Sequence, residues 1–497
     1  MTFKAVPKEE TLDPSDWNEL RQLAHCMVDD IFSYIEKVRD RPVWQPVPDQ
    51  VREFLRSPLP LQGQPAEAVF EEFRVNILPY PLGNIHPRFW GWVIGTGTPV
   101  GMMTEMLAAA LNPNLGGADH VANLVEQQVI DWCKQMLGYP AEASGLLVSG
   151  GSMANLIGLA VARSSKAGFN VRSAGVKGSK RPLTLYGSLE MHSSLDKAVE
   201  LLGLGNSFLR HIPVDDDYRI DVAALRRAIK TDLSSGLQPI CVIGNAGTVN
   251  TGAIDPLDKL AEIAAEFNLW YHVDGAFGAL AYLSPTLRQR LEGMEKADSL
   301  AFDLHKWLHV PIEAGCVLVR DADAHRRTFA PQTEYLKHQA RGAGGGDNWY
   351  SEYGIELTRG FKALKVWMAM KNYGINKLGR LVQQNVDQAS YLAKLIKNSP
   401  NLELLAPVPL NIVCFRFIAP GMNEGQLNRF NEELLIRLQE SGVAVPSSTT
   451  LGGRYAIRCA ITNHRSRRED FEILVSEVER IGKKLIAEGW TQREKKS

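Results

Sequence analysis

The sequence predicts an α/β fold built on a mainly parallel or mixed sheet. Three observations carry that prediction. Between about residues 100 and 320, short apolar runs alternate with segments of helical periodicity. Several of these runs end on Gly, Ser, Asp or His, residue types suited to the carboxyl ends of strands, where open α/β sheets gather their ligands. The chain has 497 residues, too many for one small core, which points to two or three packed domains.

The expected strands are Gly145–Val148, Leu183–Tyr186, Ile240–Ile243, Leu269–Val273, Ser299–Phe302 and Gly315–Val319. Before them, Leu20, Leu23, Met27, Ile31, Tyr34 and Ile35 recur at helical spacing and predict an amphipathic helix over 15–40. Pro42 to Pro65 is rich in proline and reads as extended, either a clasping arm or a surface loop. After residue 320 comes a glycine-rich loop, Gln339 to Asp347, and then helices near 360–373 and 376–398. The remainder reads as a small α+β unit. Its strands are Asn411–Phe417 and Tyr455–Ile461, its closing helix is 466–488, and Gln492–Ser497 forms a frayed end. The implied division is an N-terminal helical arm over 1–95, a large α/β domain over 96–375 and a small α+β domain over 376–497.

Composition narrows the function classes. Hydrophobic residues are 45% and charged residues 22% of the chain, ordinary for a soluble globular protein. Lys plus Arg is 55 and Asp plus Glu is 56, so no basic field favours nucleic acid or an anionic membrane. The six cysteines are dispersed without a CxxC or CxH cluster, which suggests neither a disulfide framework nor a metal site. They read as reduced, mostly buried thiols of a cytoplasmic enzyme. No apolar leader follows Met1, and no stretch approaches the ~20 apolar residues that span a bilayer.

Four short segments carry chemistry. Val148-Ser149-Gly150-Gly151-Ser152-Met153-Ala154-Asn155 runs from a strand through a glycine turn into a helix. Backbone can approach an anion closely there, and the helix start offers free N–H groups; a tight turn with a serine cap is the alternative. Leu269 to Ala276 puts Asp274 at a strand end, as a partner for a heterocyclic nitrogen, a metal ligand or a helix cap. Ser299 to Trp307 places Lys306 beside His305 in a largely apolar run, a setting that favours the neutral amine that Schiff-base chemistry needs. His192, in Met191-His192-Ser193-Ser194, follows another strand and suits stacking or acid–base work, or a purely structural role.

In this order and spacing, SGGSMAN, HSS, HVDGA and HKW make the chain resemble the group II pyridoxal 5′-phosphate (PLP)-dependent amino-acid decarboxylases, most of all the aromatic-L-amino-acid decarboxylase branch. The resemblance runs from His86-Pro87-Arg88-Phe89-Trp90 to the Arg458 segment. It implies the PLP-dependent transferase-like fold of the aspartate aminotransferase type (fold type I). It also implies decarboxylation of an L-amino acid, of tryptophan, tyrosine, dopa or phenylalanine type, to the amine and CO2.

The same resemblance assigns roles. Lys306 carries PLP, Asp274 binds the pyridine nitrogen, and His192 and the Ala276 methyl cover the two ring faces. Gly151, Ser152 and His305 hold the phosphate, and Thr248 lies on a cofactor-side loop. Tyr335, ahead of Leu336-Lys337-His338, is the expected proton donor on a closing loop. Trp92 and Asn114 stand where the substrate pocket is walled. Related aldehyde synthases replace the loop Tyr by Phe or the stacking His by Asn, whereas this chain keeps both Tyr335 and His192. Asp303 stands where many relatives have Asn. The resemblance further implies a homodimer clasped by N-terminal helices. The alternatives are a decarboxylase of non-aromatic amino acids, an aldehyde synthase or aminotransferase on the same fold, and a non-catalytic PLP-binding protein.

Overall fold

The computed structural model describes residues 10–330 and 339–490. Its strands in chain order are β1 (Phe89–Trp90), β2 (Ser144–Val148), β3 (Leu183–Ser188), β4 (Leu209–Ile212), β5 (Gln238–Asn245) and β6 (Trp270–Asp274). They continue with β7 (Ser299–Asp303), β8 (Gly315–Val319), β9 (Leu402–Leu404), β10 (Ile412–Phe417), β11 (Val445–Leu451) and β12 (Arg454–Ala460). All six expected strands of the central region are present, and β4 is added at the edge.

Seven strands form the larger sheet, in the order β2-β8-β7-β6-β5-β3-β4. β3 to β7 pair in parallel, whereas β8 runs antiparallel to both β2 and β7. The sheet is therefore mixed. Its inner strands are buried along their whole length, which is why they read as continuous apolar runs. β2, β3, β5, β6 and β7 bring their carboxyl ends to one edge. The amino end of β8 meets them there, with Gly315 in register with both Val148 and Asp303. The helix Gly151–Lys166 lies across β6, β7 and β8 and leads from the glycine turn into the core.

The smaller sheet has the order β1-β11-β12-β10-β9. Helices Ile375–Asn398, Glu424–Glu440 and Arg468–Ala487 pack on it around Phe415, Phe430 and Phe471. β1 pairs in parallel with β11, so the chain just before residue 95 is stitched into the C-terminal sheet. Trp90, fully buried, stacks on Phe471 with ring centroids 4.9 Å apart.

The N-terminal helix spans Trp17–Glu36 and is capped by Asp16, whose side chain accepts from Asn18 N. Pro42–Pro65 departs from the extended arm expected of it. It contains a short helix, Asp49–Phe54, started by Pro48 with φ −63°, a value already suited to a helix. Val43 N donates to Gly442 O at 2.8 Å and docks the segment on the C-terminal unit. No described helix is long and apolar enough to cross a membrane.

Candidate active site

The sheet edge where the carboxyl ends gather opens into a cavity of about 610 Å³. That is ample room for a drug-sized ligand. Each of the four motifs contributes to its wall: Gly151 and Ser152, His192, Asp274 with Ala276, and His305 with Lys306.

β2 runs into Ser149 and Gly150, and the helix starts at Gly151. Gly151 is required by close approach. A Cβ there would lie 3.0 Å from Asp303 Oδ2 and 3.2 Å from the Ala276 methyl. A helix start whose first residue carries no side chain lets an anion approach its free N–H groups.

Asp274 ends β6 and is almost fully buried. Ala276 N donates to Oδ1 at 3.0 Å and Asn155 Nδ2 to Oδ2 at 3.0 Å. One donor on each oxygen fixes the plane of the carboxylate and leaves lone pairs for a donor in the cavity. His192 follows β3. Its Nδ1 accepts from Ser194 N at 3.1 Å, so in the neutral ring Nε2 carries the proton. Desolvation by the cavity walls lowers the His192 pKa, with Asp274 opposing and the Lys306 charge adding to the effect.

Lys306 sits in the short helical turn Leu304–Trp307 after β7. Trp307 anchors that turn, fully buried, with its Nε1 donating to Asn385 Oδ1 at 3.0 Å. Gly95 packs so closely that a Cβ there would fall 1.6 Å from the His305 carbonyl oxygen. Lys306 Nζ pairs with Asp303 Oδ2 at 2.8 Å. The other Asp303 oxygen, Oδ1, is buried without a hydrogen-bond partner among the described residues. His305 Nδ1 accepts from Ala314 N at 3.2 Å, which leaves Nε2 toward the cavity side, and burial lowers its pKa.

The remaining expected residues divide. Trp92 lines the cavity mouth, 55% exposed and in the left-handed region at φ 52°. Hydrogen bonds to its backbone from Arg458 Nη1 and to Ser447 Oγ hold it there. Thr248 is buried and does not line the cavity. Its Oγ1 pairs with Thr251 Oγ1 and accepts from Ala253 N, shaping the turn from which Gly247 and Val249 reach the wall. Asn114 also lies outside the lining; its Oδ1 accepts from Gly116 N and Arg359 N. Tyr335 falls outside the described residues.

The wall also includes Asn155, Asn250, Phe277, Ile312, Glu313 and Arg458, to which the sequence reading gave no role. Arg458 had a usable signal, a lone charge within the apolar strand Tyr455–Ile461.

A glycine turn at a helix start, a strand-end carboxylate, a histidine ring and a lysine amine around one cavity fit the groups that PLP needs. The family model of the pyridoxal-dependent decarboxylase conserved domain matches residues 48–418. The chain belongs to the pyridoxal-dependent decarboxylases. It is a PLP-dependent carboxy-lyase. The enzyme is 34% identical over 471 residues to an aromatic-L-amino-acid decarboxylase of Bacillus atrophaeus, covering 94% of this chain and 96% of the relative. It is 30% identical to a phenylacetaldehyde synthase of Arabidopsis thaliana over 94% of this chain and 97% of the relative. Among solved structures, Oryza sativa TDC with PLP and tryptamine matches with a TM-score of 0.87 and 27% identity, over 96% of this chain and all of that one. These matches establish the fold expected from the sequence motifs.

Proposed function

We propose that the enzyme decarboxylates an aromatic L-amino acid to its amine and CO2, with Lys306 holding the cofactor. One observation carries the reading: Lys306, Asp274, His192 and the Gly151–Ser152 turn converge on a single cavity whose mouth is Trp92. The apolar side chains of Trp92, Val93, Phe277 and Ile312 in the same wall suit an aromatic side chain. The names of the Bacillus and Oryza relatives support the same substrate class.

PLP, when bound, supplies an electron sink for the pair left on Cα as CO2 departs. In this reading Lys306 provides the amine that carries it, and Asp274 keeps the pyridine nitrogen protonated. Ala276 and His192 cover the ring faces. Gly151, Ser152 and His305 receive the phosphate, and Thr248 shapes the adjoining loop. Tyr335 returns the proton to Cα. The presence of both Tyr335 and His192 in the sequence favours plain decarboxylation over the aldehyde-forming reaction named for the Arabidopsis relative.

The same reading makes the enzyme a homodimer. Met103, Met106, Leu107 and Leu111 of helix Pro99–Leu111 are exposed, as are Val121 and Leu124. An apolar face of this kind suits a second copy of the chain. Asn114 is exposed on the segment that joins these helices, and its place as a pocket wall rests on that dimer. The division into 1–95, 96–375 and 376–497 is supported at its second boundary by the helix break at Gly374 and by a core drawn, apart from Trp90, from residues 389–485. Six free cysteines, five of them buried, support a reducing, cytoplasmic setting.

The test is an amino-acid panel with PLP, read by CO2 release and by product mass. Tryptophan, tyrosine, dopa or phenylalanine should yield its amine. Turnover confined to acidic amino acids, or an aldehyde as main product, would overturn the reading. Lys306→Ala should lose both activity and the visible absorbance of lysine-bound PLP.

A further inference from the structure

Behind Asp274 lies a chain of hydrogen bonds whose direction is fixed by the Asp274 carboxylate, which can only accept. Trp270 Nε1 can only donate, and it donates to Ser299 Oγ at 2.8 Å. The Ser299 hydroxyl keeps its own proton for His272 Nδ1, also 2.8 Å away, which accepts it when the ring proton sits on Nε2. Burial lowers the His272 pKa to about 3, so the ring is neutral and its single proton sits on Nε2. Nε2–H donates to Asn155 Oδ1 at 2.9 Å. That bond and the acceptor-only Asp274 carboxylate together set which way the Asn155 amide faces. Its Nδ2 then points at Asp274 Oδ2, 3.0 Å away, and at Ser194 Oγ, 3.2 Å away. Ser194 Oγ in turn lies 2.8 Å from His192 Nδ1.

The packing leaves this chain little freedom. Trp270, His272 and Asp274 alternate along β6 and so share one face of the sheet, under helix Gly151–Lys166. His272 seats against Gly158 of that helix, where a Cβ would meet the ring at 2.7 Å. His272, Ser299 and Asn155 are buried, and none of the first two lines the cavity.

We infer that Asn155, oriented by His272, is a positioning residue that ties the Asp274 carboxylate and the His192 ring into one rigid pair. The inference rests on the cofactor reading above, because those two groups are the ones assigned to the PLP ring. Through Asn155 one amide serves both: one hydrogen holds Asp274 at the ring nitrogen, and the other holds Ser194 against His192. An Asn155 amide turned over would present Oδ1 to the carboxylate and weaken the hold on both.

The experiment compares His272→Leu with His272→Gln in PLP-reconstituted enzyme. Gln keeps an N–H where His272 Nε2 stands; Leu fills the space with no donor. The readouts are the PLP dissociation constant and the pH at which the visible band of lysine-bound PLP converts. His272→Leu should bind PLP about tenfold more weakly and shift that conversion, the size expected for one buried hydrogen bond left unmade. His272→Gln should stay near wild type. Equal values in all three proteins overturn the inference, and so does equal loss in both variants, which would assign the effect to ring volume. Ser299→Ala tests the chain one link earlier and keeps the question open to refutation if Leu does not fold. It should weaken PLP binding in the same direction, and an unchanged constant overturns the inference. A wild type that binds no PLP sinks the cofactor reading itself, and this inference with it.

Discussion

Lys306 Nζ and Asp303 Oδ2 lie 2.8 Å apart, and the second oxygen of Asp303 is buried without a partner among the described residues. Asp303 thus neutralises the lysine while placing an anion beside the glycine turn assigned to the phosphate. Oδ2, the oxygen paired with Lys306, is only 3.0 Å from where a Gly151 Cβ would stand. Like charges this close oppose each other strongly in a buried site. Asp303→Asn should therefore bind PLP more tightly, by about tenfold, which corresponds to about 1.4 kcal/mol. Equilibrium dialysis of PLP against both proteins checks it; weaker binding in the variant would show that the Lys306 pair matters more than the repulsion.

Buried histidines make the fold sensitive to acid. His325 is fully buried, with Nδ1 2.9 Å from Ser144 Oγ, and burial lowers its pKa from 6.5 to about 4. Between those values the unfolded chain binds the proton and the folded one does not. Its contribution to stability is therefore complete above pH 6.5 and is lost as pH falls toward 4. From pH 6.5 to 5 this single group costs about 2 kcal/mol. Urea unfolding of His325→Gln should show a flatter loss of stability over that range than wild type, and parallel curves would disprove the assignment.

Much of the fold could be read from the chain because parallel strands buried on both faces are unbroken apolar runs. β6 and β7 are of this kind. β4 escaped because Leu209-Arg210-His211-Ile212 is a short edge strand with polar residues in its middle. β1, two residues long, has no pattern at all. The site was legible where one motif carries both the residue and its turn, as with Lys306 and Asp274. Ile312, Glu313 and Arg458 reach the cavity from the loop before β8 and from the other sheet, and only the packing of the two sheets brings them there. Asn114 stands outside the lining because its side chain is used within a turn and against Arg359 N.

Among the described residues, Glu126 and Arg359 form a deeply buried ion pair, with side chains 0% and 2% exposed. Arg359 also donates to Leu115 O at 2.9 Å and Leu147 O at 2.7 Å, tying β2 to the segment that carries Asn114. Glu126→Ala would strand the guanidinium in the core, at a cost of about 3–5 kcal/mol. Denaturant unfolding should show a loss of that order. A loss below about 1 kcal/mol, typical of exposed pairs, would mean that water reaches Arg359 once Glu126 is gone.

The helix Pro99–Leu111 gives the last prediction. It buries only Gly101 and Thr104, while Met106 and Leu107 stand 57% and 46% exposed. Lysine at exposed helix positions is neutral for a monomer's fold, since its propensity equals that of Met and Leu. Within a packed interface two added charges lose their hydration without partners. Met106→Lys combined with Leu107→Lys should therefore leave the fold intact by circular dichroism and halve the mass measured by light scattering. Activity should fall with association, because the Asn114 segment joins this face to the next helix. A double variant that keeps the wild-type mass would show that the apolar face is not where two copies meet.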